Sequence, residues 1–149
     1  MLERIMARFI DTYHTRNSLF DSFDRVSETS LVLRWKNGDN MNDIAVYVGF
    51  IVKGANEPIL ITINNFDLPN FSGAHAAGVE ACNQINNDDL VKFYIDEDED
   101  AIAQASLFFN AYKIPCDFSP ELVLTVATTV ALAVDDAYPI LQRAKFTRR

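Results

Sequence analysis

A chain of 149 residues, 49% of them apolar and with only five glycines and five prolines, has the size of one domain and the composition of a compact core, which excludes a disordered or collagen-like polymer. Its thirteen basic residues are outweighed by twenty-one acidic ones, a formal net charge of -8, so its field repels phosphate backbones and argues against nucleic acid as a partner. The basic residues Arg143, Lys145, Arg148 and Arg149 gather at the C-terminus, where spread charges on a frayed tail serve solubility.

Leu2, Ile5, Met6, Phe9, Ile10 and Tyr13 recur at helical spacing with Glu3, Arg4, Arg8 and Asp11 between them, which predicts an amphipathic helix over residues 1–13 whose apolar face lids a sheet. This opening is amphipathic rather than a basic segment followed by an apolar run, so a signal peptide is not expected. After a polar break at residues 14–18, residues 23–26 and 31–35 read as two strands joined around 27–30, and Asn37-Gly38-Asp39-Asn40 reads as a turn. Residues 44–52 are almost wholly apolar. That run predicts a central strand covered on both faces, by helices on one and by a loop or partner on the other. A turn at residues 54–58 leads to a further strand at 59–63, after which residues 64–69 leave the sheet.

Ser72 is placed to cap a helix over residues 73–86, in which Ala74, Gly78, Ala81, Cys82 and Ile85 share one small, shallow face. Small side chains let another backbone approach closely, either the sheet or a second copy of the chain; Gly78 and Ala81 are therefore candidate protein-binding residues. His75, at the edge of that face, has no companion His, Cys or nucleophile motif that would make it a ligand or base.

A hairpin follows. Val91, Phe93 and Ile95 share one face while Leu90, Lys92 and Tyr94 share the other, and on the return strand Ala103, Ala105, Leu107 and Phe109 alternate with Ile102, Gln104, Ser106, Phe108 and Asn110. The second set mixes apolar and polar groups, as a contact surface that forms and releases would. Tyr94, Ile102 and Phe108 join the candidate protein-binding residues on that ground; the alternative is that Ile102 and Phe108 merely cover the end of the sheet. The tip, Asp96-Glu97-Asp98-Glu99-Asp100, opens like a calcium loop, but Ala101 and Leu107 stand where glycine and a bidentate Glu are needed. Its carboxylates read instead as a solvated stop against edge-to-edge aggregation.

The last helix is the best marked. Ser119 is its N-cap, Pro120 its first residue, Glu121 complements the dipole and Phe118 can staple onto Val123. Leu122, Val123, Val126, Ala127, Val130, Val134 and Ala137 form the expected buried face, and Pro139 is expected to end or kink the helix, leaving residues 140–149 as a terminal tail. The weakly polar run 122–134 is too short to span a bilayer. Cys82 and Cys116, with only His14 and His75 to join them, lack metal-site spacing and read as buried, unpaired thiols of a reducing cytoplasm.

The expected fold is α+β, an antiparallel sheet with helices packed on one face, in the order α-β-β-β-β-α-β-β-α. With Cys82-Asn-Gln-Ile-Asn86 closing a helix, Val91-Lys-Phe-Tyr-Ile-Asp96 entering an acidic-tipped hairpin and Phe118-Ser-Pro-Glu121 opening the final helix, this order resembles the YbjN-like family of bacterial sensory transduction regulators, whose fold is similar to that of type III secretion chaperones. The likeness spans residues 20–141. It departs at Ile85, where family members often carry an aromatic residue, and at the hairpin tip, where they commonly carry Gly. The resemblance implies a cytoplasmic, non-enzymatic regulator or chaperone-like module that binds another protein or peptide segment, often as a homodimer. It brings no catalytic residues, no cofactor and no metal, and the chain has no nucleotide-binding, hydrolase, metalloprotease or deaminase motif. The alternative is a small-molecule sensor holding a ligand between the sheet and the C-terminal helix; neither nucleic acid nor membrane is an expected partner.

Overall fold

The computed structural model describes residues 2–54, 57–86, 90–110 and 118–146. The expectations for Cys116, Arg148, Arg149 and the centre of the 54–58 turn lie outside these residues. Along the chain come α1 (Leu2–Arg16), β1 (Ser22–Ser27), β2 (Ser30–Lys36), β3 (Asp43–Ile51), β4 (Ile59–Asn65), α2 (His75–Ile85), β5 (Lys92–Ile95), β6 (Ala101–Phe109) and α3 (Pro120–Phe146). This is the α+β order expected from the sequence. Among the described residues the strands form one antiparallel sheet in the order β1-β2-β3-β4-β6-β5.

Strand alternation decides which side chains meet the helices. Leu31 and Leu33 of β2, Ile44, Val46, Val48 and Phe50 of β3, Ile59, Ile61 and Ile63 of β4, and Ala101, Ala103, Ala105 and Phe109 of β6 are all buried in one core cluster. α3 lies along the middle of that face, against β3, β4 and β6, with α1 on one flank and α2 on the other. α1 reaches the sheet through Phe9, edge-on to Phe50, and Tyr13, edge-on to Phe23. It continues to Arg16 rather than stopping at residue 13, because the His14 ring packs against Tyr13 and Phe23 and the apparent polar break is partly a packed turn.

Two local expectations yield to tertiary contacts. β3 is not covered by helices on both faces: the described helices lie on one side, and on the other Tyr47 and Gly49 are half-buried and Ile51 is exposed. Only its Ala45 end is closed, where Asn65 Nδ2 donates to the Ala45 carbonyl at 2.9 Å and the Ala45 N–H donates to Asp67 Oδ2 at 2.8 Å. Two side chains thus stand in for the backbone ladder that β4 no longer supplies. Ser72 does not cap α2, which starts at His75 after Ala74 with no side-chain cap; the Ser72 N–H is taken by Asn70 Oδ1, and Gly73 turns the chain at φ 78.

The N-terminus of α3 is as expected, with the Leu122 N–H donating to Ser119 Oγ at 3.2 Å. The Thr125, Thr128 and Thr129 hydroxyls bond to carbonyls one turn back. Its buried face differs in detail, since Leu122 is exposed while Leu124, Ala131, Asp135 and Leu141 are buried. Pro139 does not end the helix, which runs on to Phe146. By length and composition alone α3 could cross a membrane, further than the run 122–134 suggested, but half of that stretch is buried inside the protein.

The continuity of α3 through Pro139 has a cause. Proline lacks the N–H that the Asp135 carbonyl would accept one turn on; Asn40 Nδ2 donates to that carbonyl instead, at 3.0 Å. The Asp135 carboxylate, in a residue only 2% exposed, accepts the backbone N–H groups of Asp39, Asn40 and Met41 at 3.0, 2.9 and 2.9 Å. Asn37 enters this turn at φ 63, which asparagine tolerates. Gly38 leaves room for the carboxylate, as a Cβ there would lie 2.6 Å from Asp135 Oδ1. The β2–β3 turn is thereby fastened to α3.

Removing the carboxylate with Asp135→Ala should cost roughly 2–4 kcal/mol in urea unfolding, because charge-assisted bonds are lost and the Met41 N–H is stranded. Asn40→Ala should cost about 1 kcal/mol beside Pro139 and less than half of that in a Pro139→Ala background, where the helix regains its own donor; equal costs in both backgrounds would show that the carbonyl is not the coupling point. Burial pushes the Cys82 thiol from 9.0 up to about 11, so from pH 9 to 11 the unfolded thiol ionises while the folded one stays protonated and stability falls as pH rises. Cys82→Ala should flatten the wild-type slope of stability against pH in that interval.

Candidate functional site

The face of the sheet opposite the helices is open, and the strand register sets what it displays. Ile51, Leu60 and Phe108 lie side by side across β3, β4 and β6, forming an apolar row at one end. The next row inward is small and polar, Ser30, Gly49, Thr62 and Ser106, and the one after it runs Asp24, Val32, Tyr47, Asn64, Gln104 and Lys92, of which Val32 is buried. Tyr47 makes a tilted contact with Phe66 at 5.5 Å between ring centroids, and Phe66 is exposed. Phe108 is the most exposed large apolar residue of this surface, at 70%.

The five residues singled out from sequence do not form one surface. Tyr94 and Ile102 are cross-strand partners on the open face, but Ile102 is only 2% exposed and so offers little to a partner. Phe108 lies toward the far end of β6, ~20 Å of extended chain away. Gly78 and Ala81 are on the helix side of the sheet and buried within the protomer: a Cβ on Gly78 would lie 2.6 Å from Phe71 Cγ and 3.1 Å from Ile95 Cδ1. Of the two roles open to that small face, close approach within the fold is the one it plays. The residues that sequence reasoning overlooked are Ile51, Leu60, Tyr47 and Phe66. Ile51 and Tyr47 are out of phase with the core set Ile44, Val46, Val48 and Phe50, which was the available signal.

A concave surface lies on the helix side. Between α2, the entry to β5 and α3 is a cleft of about 550 Å³, within the range of small-molecule sites. Val91, Phe93 and Ala137 are buried in its floor, Leu90, Leu132 and Ile140 are exposed at its rim, and Gln84, Thr129 and Asp136 supply its polar atoms.

The ionisable groups are dispersed. His14 packs with Tyr13 and Phe23 near the β1 edge, whereas His75 pairs with Glu99 at 2.6 Å near the opposite, β5–β6, edge. This second contact is exposed, in the class of ion pairs that add little stability. The acidic tip satisfies itself: Asp96 Oδ1 accepts the N–H groups of Asp98 and Asp100, and Asn70 Nδ2 bonds to Asp98 O and Asp100 Oδ1. Among the described residues no three His, Cys, Asp or Glu side chains gather into a metal-binding group, and no buried side-chain nitrogen or oxygen lacks a partner.

Compared with known proteins, the chain matches no family model and no curated protein.

These placements separate two kinds of substitution. Gly78→Ala should destabilise by about 1–3 kcal/mol through its collision with Phe71, although alanine is the better helix former, and Gly78→Glu or Ala81→Arg should unfold the protomer rather than dissociate an assembly. Phe108→Ser should change the unfolding free energy by no more than about 0.5 kcal/mol. Thermal and urea melts of the four variants test this.

Proposed function

We propose that this protein is a non-enzymatic binding module of the cytoplasm that holds a segment of another polypeptide across the open face of its sheet, in the regulator or chaperone-like role that the YbjN-like resemblance implies. The observation that carries this reading is the one-sidedness of the fold: six strands bear helices on one face and expose on the other the row Ile51, Leu60 and Phe108 with Tyr47 and Phe66 nearby. A face mixing aromatic and aliphatic groups with Ser, Thr, Asn and Gln has the composition of a reversible contact. The dispersal of the histidines and the raised Cys82 thiol favour binding over catalysis, since a thiol at about 11 is almost wholly protonated at neutral pH. The homodimer that the resemblance implies would use this same face, because Gly78 and Ala81 are committed inside the protomer.

Sedimentation velocity of the wild type beside Phe108→Glu and Ile51→Glu tests the dimer. The wild type should sediment as a dimer and both variants as folded monomers; a monomeric wild type at high micromolar concentration removes the self-association. A photo-crosslinking residue at position 108 in host extract should yield discrete adducts that the same residue at position 125, on the exposed side of α3, does not. The same adducts from both positions, or none from either, would remove the open face as the binding surface.

A further inference from the structure

We infer that the cleft between α2, β5 and α3 is a separate site for an amphiphilic cation, a small molecule with an apolar body and one protonated amine. Concavity, lining and charge each contribute to this assignment. A space of about 550 Å³ suits a small molecule better than a protein surface, which is usually flat. Its floor contains the buried Phe93 and Val91, and Leu90, Leu132 and Ile140 stand exposed around its mouth, so an apolar chain entering it would remove aliphatic surface from water at both levels.

The head group follows from Asp136. Among the described residues it is the one ionisable group of the lining and has no ion-pair partner, and Gln84 across the cleft offers a side-chain oxygen that accepts hydrogen bonds. A protonated amine donates to the carboxylate and leaves its apolar body to the floor of the cleft. An anionic head would meet a carboxylate on a chain of formal charge -8, which disfavours it at contact and at long range. A second copy of the chain is disfavoured on the same ground, because a two-fold contact over this cleft would bring Asp136 close to its own symmetry mate.

The test uses decylamine and decanoate, each below its micellar concentration, titrated into the full chain and followed by two-dimensional amide NMR. Decylamine should bind with shift changes centred on Gln84, Phe93, Leu132 and Asp136, and decanoate should bind about threefold to tenfold more weakly. Asp136→Asn, an exposed change that leaves the core intact, should erase the preference between the two probes. Ala133→Phe should fill the cleft and weaken both; if that variant does not fold, Leu132→Ser at the rim should weaken both instead. No binding of decylamine up to millimolar concentration, equal binding of the two probes to the wild type, or shifts centred on the open sheet face would overturn the assignment. So would a concentration-dependent dimer that Leu132→Ser dissociates, since the occupant would then be a second copy.

Discussion

A buried carboxylate fastened to a turn holds the two layers of this protein in register. Asp135 receives three successive backbone N–H groups from the β2–β3 turn, and the side chain of Asn40 in that turn repairs the carbonyl that Pro139 leaves unpaired. Both halves act at one point on α3. The helix is therefore held over the sheet at a defined position, rather than only attracted to it by non-directional apolar burial. The core side chains that α3 presents, from Val123 to Leu141, then meet β3, β4 and β6 in a fixed arrangement, and α1 and α2 pack along its flanks.

Placing the three described helices on one side determines the character of the other. An antiparallel sheet tolerates water on one face, and this one does so with an apolar row at one end followed by a small polar row and a mixed, mostly polar one. The edges are defended by different means. β1 is largely polar and shifts register between Arg25 and Ser27, leaving Val26 exposed at the irregularity, while β5 is only four residues long. Both features discourage another strand from pairing at the edge.

What could be read from the residues was whatever local periodicity controls. The alternation in residues 91–95 and 101–109 placed each side chain on the correct face, and the Ser119-Pro120-Glu121 signal fixed where α3 begins. Rules of the same local kind failed where a distant group competes. Ser72 looked like a cap, but the chain turns at Gly73 and α2 begins only after Ala74. Pro139 looked like a stop, but Asn40 supplies the missing donor from the far side of the core. Gly78 and Ala81 left open whether the fold or a second copy packs on them, because nothing in their own helix announces that Phe71 and Ile95 lie against Gly78. Ile102 has the right phase for a contact surface and is nonetheless buried, since phase decides the side of the sheet and not the exposure. The cleft was invisible for a related reason: its walls come from three elements whose residues carry no shared motif.

The strand order also bears on how the fold is reached. β1 to β4 form a meander in which every pairing joins neighbours along the chain, and β5 with β6 is a hairpin of its own. The junction of β4 with β6 is the pairing that must wait for α2 and β5 to be spanned, so the greatest entropy of loop closure falls there. The sheet is in this sense two short-range assemblies and one long-range seam. The seam passes beneath α3 and carries Leu60 and Phe108 on its outer side, so the apolar row is completed only when the two assemblies have docked.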